Sequence, residues 1–264
     1  MPRAEEDGKL QSGAEVNRIL FERGEVGPDG HVTFGGVRAA HVVDVLHGEP
    51  GQTIKTGVVG GNVGTSVIER IDGKGESLTM TVLASHDSPP LQPWCDMLLA
   101  MPRPRVFKRL VPQLAAMGVG KIVLVGAEKV EKCYWSAGCL DEAEYRPLLV
   151  EGLMQAGTSM LPELRVEKNF RRYMESRFED EFAGSPMRFL AHPDRFAAVP
   201  QPSSASGRWL VAVGPEGGWT DAELSMLDAR GFRRISLGPR ILKTETAAVA
   251  LLAVLGVQAQ GAAQ

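Results

Sequence analysis

Between residues 16 and 84 apolar residues recur at alternate positions in short runs divided by glycines: VNRILFE, HVTFGG, HVVDVLH, TIKTGVVGG, TSVIERI and SLTMTVLA. Period-two alternation with frequent turn residues predicts strands, and this many short strands in succession predict a small barrel or sandwich. The cluster VGGNVG around Asn62 lies between two such runs and lacks GxGxxG spacing, so it reads as a hairpin turn without chemistry. Residues 85–93, SHDSPPLQP, carry three prolines and read as a linker between a first domain over 1–84 and a second over 94–264.

Beyond the linker the pattern changes to alternating strands and helices. A strand over 96–100, a helix over 107–117 and the strand KIVLVGA come first, with Gly118 ending the helix and Pro112 expected to kink it or shift its start. A helix over 142–155, a strand around Leu164 and a basic helix over 169–178 follow. The last three strands are MRFLAHP, RWLVAVGP and RRISLG. Between the last two, TDAELSMLDARG opens with Thr220 as N-cap and Glu223 completing a capping box. Uninterrupted apolar strands such as LVAV predict a parallel sheet covered by helices on both faces, an α/β fold. The tail GVQAQGAAQ is expected to fray.

Composition narrows the class. At 264 residues, 44% hydrophobic and 23% charged, the chain has enough apolar material for a real core. No run is long and apolar enough to cross a bilayer, and the start MPRAEEDGKL has acids where a signal peptide has an apolar stretch, so a cytoplasmic protein is expected. Cys95, Cys133 and Cys139 form no CxxC pair, and the histidines are scattered, so neither a disulfide framework nor a metal site is expected. The net charge of -3 argues against coating nucleic acid by global attraction. Local clusters differ: RPRVFKR carries Arg103, Arg105, Lys108 and Arg109, and the stretch from Arg230 to Lys243 holds Arg233, Arg234 and Arg240, neither with an acid. Such clusters neutralise phosphates or form solvated faces balanced by runs such as ESRFEDE.

Two segments carry the candidate chemistry. In VGPEGGWTDAE an apolar strand breaks into Gly214, Pro215, Glu216, Gly217 and Gly218 ahead of a capped helix. Glycines there let the backbone approach a ligand, beside free amides; a plain strand-to-helix turn is the alternative. In ISLGPRILKTETAAVALL a second strand ends in Gly238-Pro239, followed by a helix that Thr244 can cap. Two similar turns after sheet strands are expected to meet at the carboxyl end of the sheet, where open α/β sheets bind ligands, with Arg240 at the mouth. A surface ion pair is the alternative role for Arg240.

GPEGGWTDAE followed by GFRRISLGPRILKTETAA closely resembles the signature of the RsmE family, uracil-N3 methyltransferases of small-subunit ribosomal RNA. Upstream the resemblance is weaker: HVVDVLHGEPGQTIKTGVVGG looks like that family's PUA-like RNA-binding domain, and MGVGKIVLV like the first half of its catalytic domain. The resemblance implies a SPOUT-type parallel sheet with a trefoil knot, preceded by a small PUA-like β-barrel, and a homodimer acting on ribosomal RNA or the small ribosomal subunit. It also implies S-adenosylmethionine as cofactor, cradled by Gly214, Glu216, Gly217 and Gly218 of the first turn. From the second turn come Leu237, Gly238, Ile241 and Leu242, with Thr246 and Ala247 closing the pocket. Arg240 is the catalytic candidate, stabilising negative charge on the uracil as N3 loses its proton. Arg103, Arg105, Lys108, Arg109 and Lys243 are the candidates for RNA contacts.

The chain also departs from the family. Gln113 and Ala116 stand where a Lys and a Glu are usual; Met154, Gln155, Ala156, Gly157 and Thr158 replace Glu-Gln-Ser-Gly-Arg; Lys243 replaces an Arg. These changes keep two alternatives open: a SPOUT methyltransferase with another RNA target, and an RNA-binding or assembly factor with weak catalysis. A dinucleotide-dependent enzyme is disfavoured by the missing GxGxxG. No general base is apparent; Glu245, at a helix start, reads as favouring the helix dipole.

Overall fold

A computed structural model describes residues 18–185, 187–193 and 207–262. The acidic start at residues 1–10 lies outside the described residues, as do the last two of the tail.

The first half folds into a five-stranded sheet. Its strands are β1 (Ile19–Phe21), β2 (His31–Gly35), β3 (Thr53–Val58), β4 (Val63–Asp72) and β5 (Thr79–Ser88), in the order β1-β3-β4-β5-β2. β1 runs parallel to β3 and the other pairs are antiparallel. Val32, Phe34, Ile54, Ile68, Met80 and Val82 share one core, each pair within a strand two residues apart, as the alternation requires. VGGNVG is the turn between β3 and β4, closed by Val58 N–H donating to the Asn62 carbonyl at 2.9 Å.

HVVDVLH is not a strand. It belongs to α1 (Gly36–Asp44) and the turn after it, and its buried residues Ala39 and Val42 are three apart, the spacing of one helical face. The preceding VRAA supplies helix-favouring alanines that a reading begun at His41 leaves out. β5 also runs further than expected: Ser85 pairs with Thr65 and Ser88 with Val63, so the first four residues read as linker are sheet.

The second half is a six-stranded sheet of β6 (Cys95–Ala100), β7 (Val119–Val125), β8 (Glu163–Glu167), β9 (Arg188–Ala191), β10 (Trp209–Val213) and β11 (Arg233–Ile235). The order is β11-β9-β10-β6-β7-β8 and every pair is parallel. β6 and β10 are buried at every position, the consequence of apolar runs without alternation. Helix α2 (Pro104–Ala116) starts three residues earlier than expected because Pro104 suits a first helical turn. Pro112 stays inside it, and α3 (Glu142–Ala156) packs so close that a Cβ on Gly152 would lie 2.0 Å from the Pro112 carbonyl oxygen.

The basic helix splits at Arg177 into α4 (Phe170–Ser176) and α5 (Phe178–Phe182). α6 (Asp221–Ala229) carries the expected Thr220/Glu223 capping box. α7 (Thr244–Ala262) continues through the tail expected to fray, since Leu251, Leu252 and Leu255 anchor it in the core.

Arg18 ties the two sheets together, its guanidinium donating to the carbonyls of Thr56, Gly64 and Gly157 at 2.6, 2.8 and 3.0 Å. The β3–β4 turn joins the same seam through Gly60 N–H and the Ser159 carbonyl, 2.7 Å apart. Met154, whose carbonyl accepts the Arg18 backbone N–H at 2.9 Å, and Thr158, between Gly157 and Ser159, are departures from the family pattern that lie at this seam.

Candidate active site

Because all six strands of the second sheet point the same way, the loops after them open on one edge. β9 sits between β10 and β11, so the two Gly-Pro turns flank its end instead of touching directly. They nevertheless enclose a single cleft of about 290 Å³, close to the lower end for small-ligand sites, roughly 300 Å³. Thr244 donates its hydroxyl to the Gly214 carbonyl at 3.4 Å and so links the second turn to the first.

The cleft is lined by Gly214, Glu216, Gly217 and Gly218 on one side and by Leu237, Gly238, Arg240, Ile241 and Leu242 on the other, with Ala247 behind. Thr246 is exposed and does not line it, since only every third or fourth residue of α7 faces inward. Lys243 is also exposed and outside it. The lining includes two residues that the sequence reading passed over, His192 from the end of β9 and Trp219 from the start of the capped helix. Trp219 directly follows the glycines of GPEGG, a signal within the quoted segment; strand order alone brings in His192.

The first turn is held from outside. Glu216 accepts the Arg103 backbone N–H at 3.3 Å, and the Lys129 ammonium donates to the Gly217 carbonyl at 2.9 Å. Buried Glu223 accepts from Thr220 N–H at 2.8 Å and from Glu128 N–H at 2.7 Å, so one carboxylate fixes the capped helix and ties it to the loop after β7. The second turn is unlike this: among the described residues, the amides of Leu237, Gly238, Ile241 and Leu242 make no hydrogen bond within the chain. Trp219 Nε1 is likewise a buried donor without a partner. Unpaired donors around an apolar cleft suit a ligand with several polar edges. Arg240 is exposed at the mouth, with no ion pair among the described residues.

The basic segment 103–109 is less free than its sequence indicates. Lys108 pairs with Glu144 at 2.9 Å and Arg109 with Glu245 at 3.1 Å, so acids distant in sequence balance it. Glu245 is thereby engaged with α2, and the hydrogen bond that Lys108 donates to the Glu144 carboxylate raises the Lys108 pKa above the usual lysine value. The Arg103 guanidinium is raised by its contact with Tyr134. Gln113, Ala116, Met154 and Thr158 do not line the cleft, so the departures from the family pattern leave it intact.

A parallel α/β sheet with a ligand cleft at its carboxyl edge defines the class, and comparison with known proteins defines its kind. A family model of the RNA methyltransferase domain matches residues 89–256. Ribosomal RNA small subunit methyltransferase E of Treponema pallidum (strain Nichols) is 30% identical over 247 residues, covering 91% of this chain and 90% of that protein. Ribosomal RNA small subunit methyltransferase E 1 of Borreliella burgdorferi is 24% identical, covering 83% and 89%. In fold, the chain is similar to the crystal structure of a ribosomal RNA small subunit methyltransferase E from Neisseria gonorrhoeae bound to S-adenosyl methionine. The TM-score is 0.70 at 19% identity, covering 91% of this chain and 97% of that one. The chain belongs to the RNA methyltransferase family and, within it, to the ribosomal RNA small subunit methyltransferase E, or RsmE, family.

Proposed function

We propose that this protein transfers the methyl group of S-adenosylmethionine to N3 of a uridine in small-subunit ribosomal RNA. The observation that carries the reading is the meeting of the two Gly-Pro turns around one cleft with Arg240 at its mouth, in a chain of this family.

The residues present fit the cofactor. The unpaired amides of the second turn would serve the polar edge of an adenine, Leu237 and Leu242 would offer it an apolar surface, and the Glu216 carboxylate would suit the cationic end. When bound, S-adenosylmethionine supplies an electrophilic methyl group. The chain's part is to hold uracil N3 in line, at roughly 3–3.5 Å, in a base swung out of its stack. As N3 gives its proton to water, charge spreads onto the flanking carbonyl oxygens, where the Arg240 guanidinium donates.

The remaining parts of the reading concern architecture. Residues 18–88 of the first domain form a PUA-like RNA-binding barrel, supported by the separate core of the five-stranded sheet. Residues 94–264 form the catalytic domain, in which the C-terminal chain threads a trefoil knot; the return of α7 onto α2, β9 and β10 supports this path. The protein is a cytoplasmic homodimer. Val254 and Val257 leave an apolar stripe exposed on α7, a face suited to a second copy; a monomer in sedimentation velocity at micromolar concentration would remove this part.

The test of function is incubation of the purified protein with isotopically labelled S-adenosylmethionine and unmodified small-subunit ribosomal RNA, followed by nucleoside mass spectrometry. Label in 3-methyluridine is expected. Label in another nucleoside would reassign the target, and its absence from every nucleoside would overturn the activity.

A further inference from the structure

We propose that a second cleft beside the first seats the RNA backbone next to the modified nucleotide, with Lys168 and Arg171 contacting its phosphates. This rests on the methyltransferase reading and extends it to substrate residues outside the candidate set above.

The second cleft, about 230 Å³, lies where β7 and β8 end, against α4 and the first turn of α6. It opens on the same edge of the sheet as the cofactor cleft. A single aromatic contact separates the two: Phe170 lines the second and Trp219 the first, with ring centroids 5.2 Å apart. Lys129 bridges the same wall through its bond to Gly217. A nucleotide presented at the mouth of the first cleft therefore leaves its neighbouring phosphates beside the second.

The charges fit that occupant. Lys168 and Arg171 line the cleft and the adjacent Arg172 is exposed; among the described residues none of the three is ion-paired. Lys108 and Arg109, by contrast, are already held by carboxylates. Of the two acids lining the cleft, Glu223 has its oxygens taken up by Thr220 and the Glu128 amide, which leaves the exposed Glu128 carboxylate as the one acid there to set against Lys168 and Arg171. The basic helix seen in the sequence thereby gains a role. Exposed cations without internal partners, beside the mouth where the base is presented, are suited to phosphates, which they neutralise with release of counterions.

The test compares wild type with the double variant Lys168→Ala/Arg171→Ala, binding transcribed small-subunit ribosomal RNA across a salt series, with S-adenosylmethionine affinity measured in parallel. The variant is expected to bind RNA roughly tenfold more weakly at low salt, with a log–log salt slope shallower by about 1.4, two single-strand phosphate contacts. Its S-adenosylmethionine affinity is expected to be unchanged. Lys108→Ala/Arg109→Ala, the control, should move the slope less. An unchanged slope overturns the proposal, with or without a fall in affinity. The two readings fail separately: wild type that binds the RNA but not S-adenosylmethionine overturns the methyltransferase reading.

Discussion

Alanine in place of Arg240 is expected to lower kcat for methyl transfer on the order of 10²–10³-fold while leaving S-adenosylmethionine affinity and melting temperature unchanged. The separation follows from where the side chain stands. Arg240 is exposed at the cleft mouth and makes no ion pair among the described residues, so truncation removes no internal contact. In the proposed mechanism it removes a cation beside the oxygens that gain charge as the uracil is deprotonated. Single-turnover kinetics with saturating cofactor measures the effect directly. Arg240→Lys should recover part of the rate, because an ammonium supplies the charge without the planar pair of donors. Equal turnover in Arg240→Ala and wild type would remove the residue from the chemistry.

The second large effect is expected at Gly214, where the cleft has no room for a methyl group. A Cβ there would lie 2.9 Å from Trp219 Nε1 and 3.0 Å from its Cδ1. The indole cannot easily give way, since it is buried and stacked at an angle on Phe170. Overpacking of this kind costs about 1–3 kcal/mol. In Gly214→Ala that strain falls on the turn proposed to hold the cofactor, so S-adenosylmethionine should bind roughly tenfold to hundredfold more weakly. Gly217→Ala provides the contrast. Its Cβ would meet the Lys129 chain at 3.1 Å, and a flexible lysine can move aside. Equal cofactor affinity in Gly214→Ala and wild type, by calorimetry, would mean that the first turn does not hold the ligand.

The second sheet and its cleft were legible where local pattern determines the outcome. Buried runs such as LVAV require a covered parallel sheet, and a parallel sheet places every following loop on one edge, so two Gly-Pro turns after strands had to face the same side. The capping box at Thr220 is likewise local. Long-range packing decided the rest. HVVDVLH satisfies a period-two reading, yet the alanines before it and the burial of Ala39 with Val42 make it a helix. The Lys108–Glu144 and Arg109–Glu245 pairs join residues 36 and 136 positions apart, so no local charge count reveals them. His192 reaches the cleft because β9 is inserted between β10 and β11, an order that strand periodicity does not encode. The tail remains helical because its leucines find the core, which its composition alone does not show.

Everything turns on whether the paired Gly-Pro turns bind a methyl donor. The direct measurement is titration of S-adenosylmethionine into the purified protein by calorimetry, checked by the fluorescence of Trp219, whose indole lines the cleft. Saturable binding at one site per chain is expected, weakened by Gly214→Ala and preserved in Arg240→Ala. A flat titration at millimolar cofactor, with no change in tryptophan emission, would contradict it.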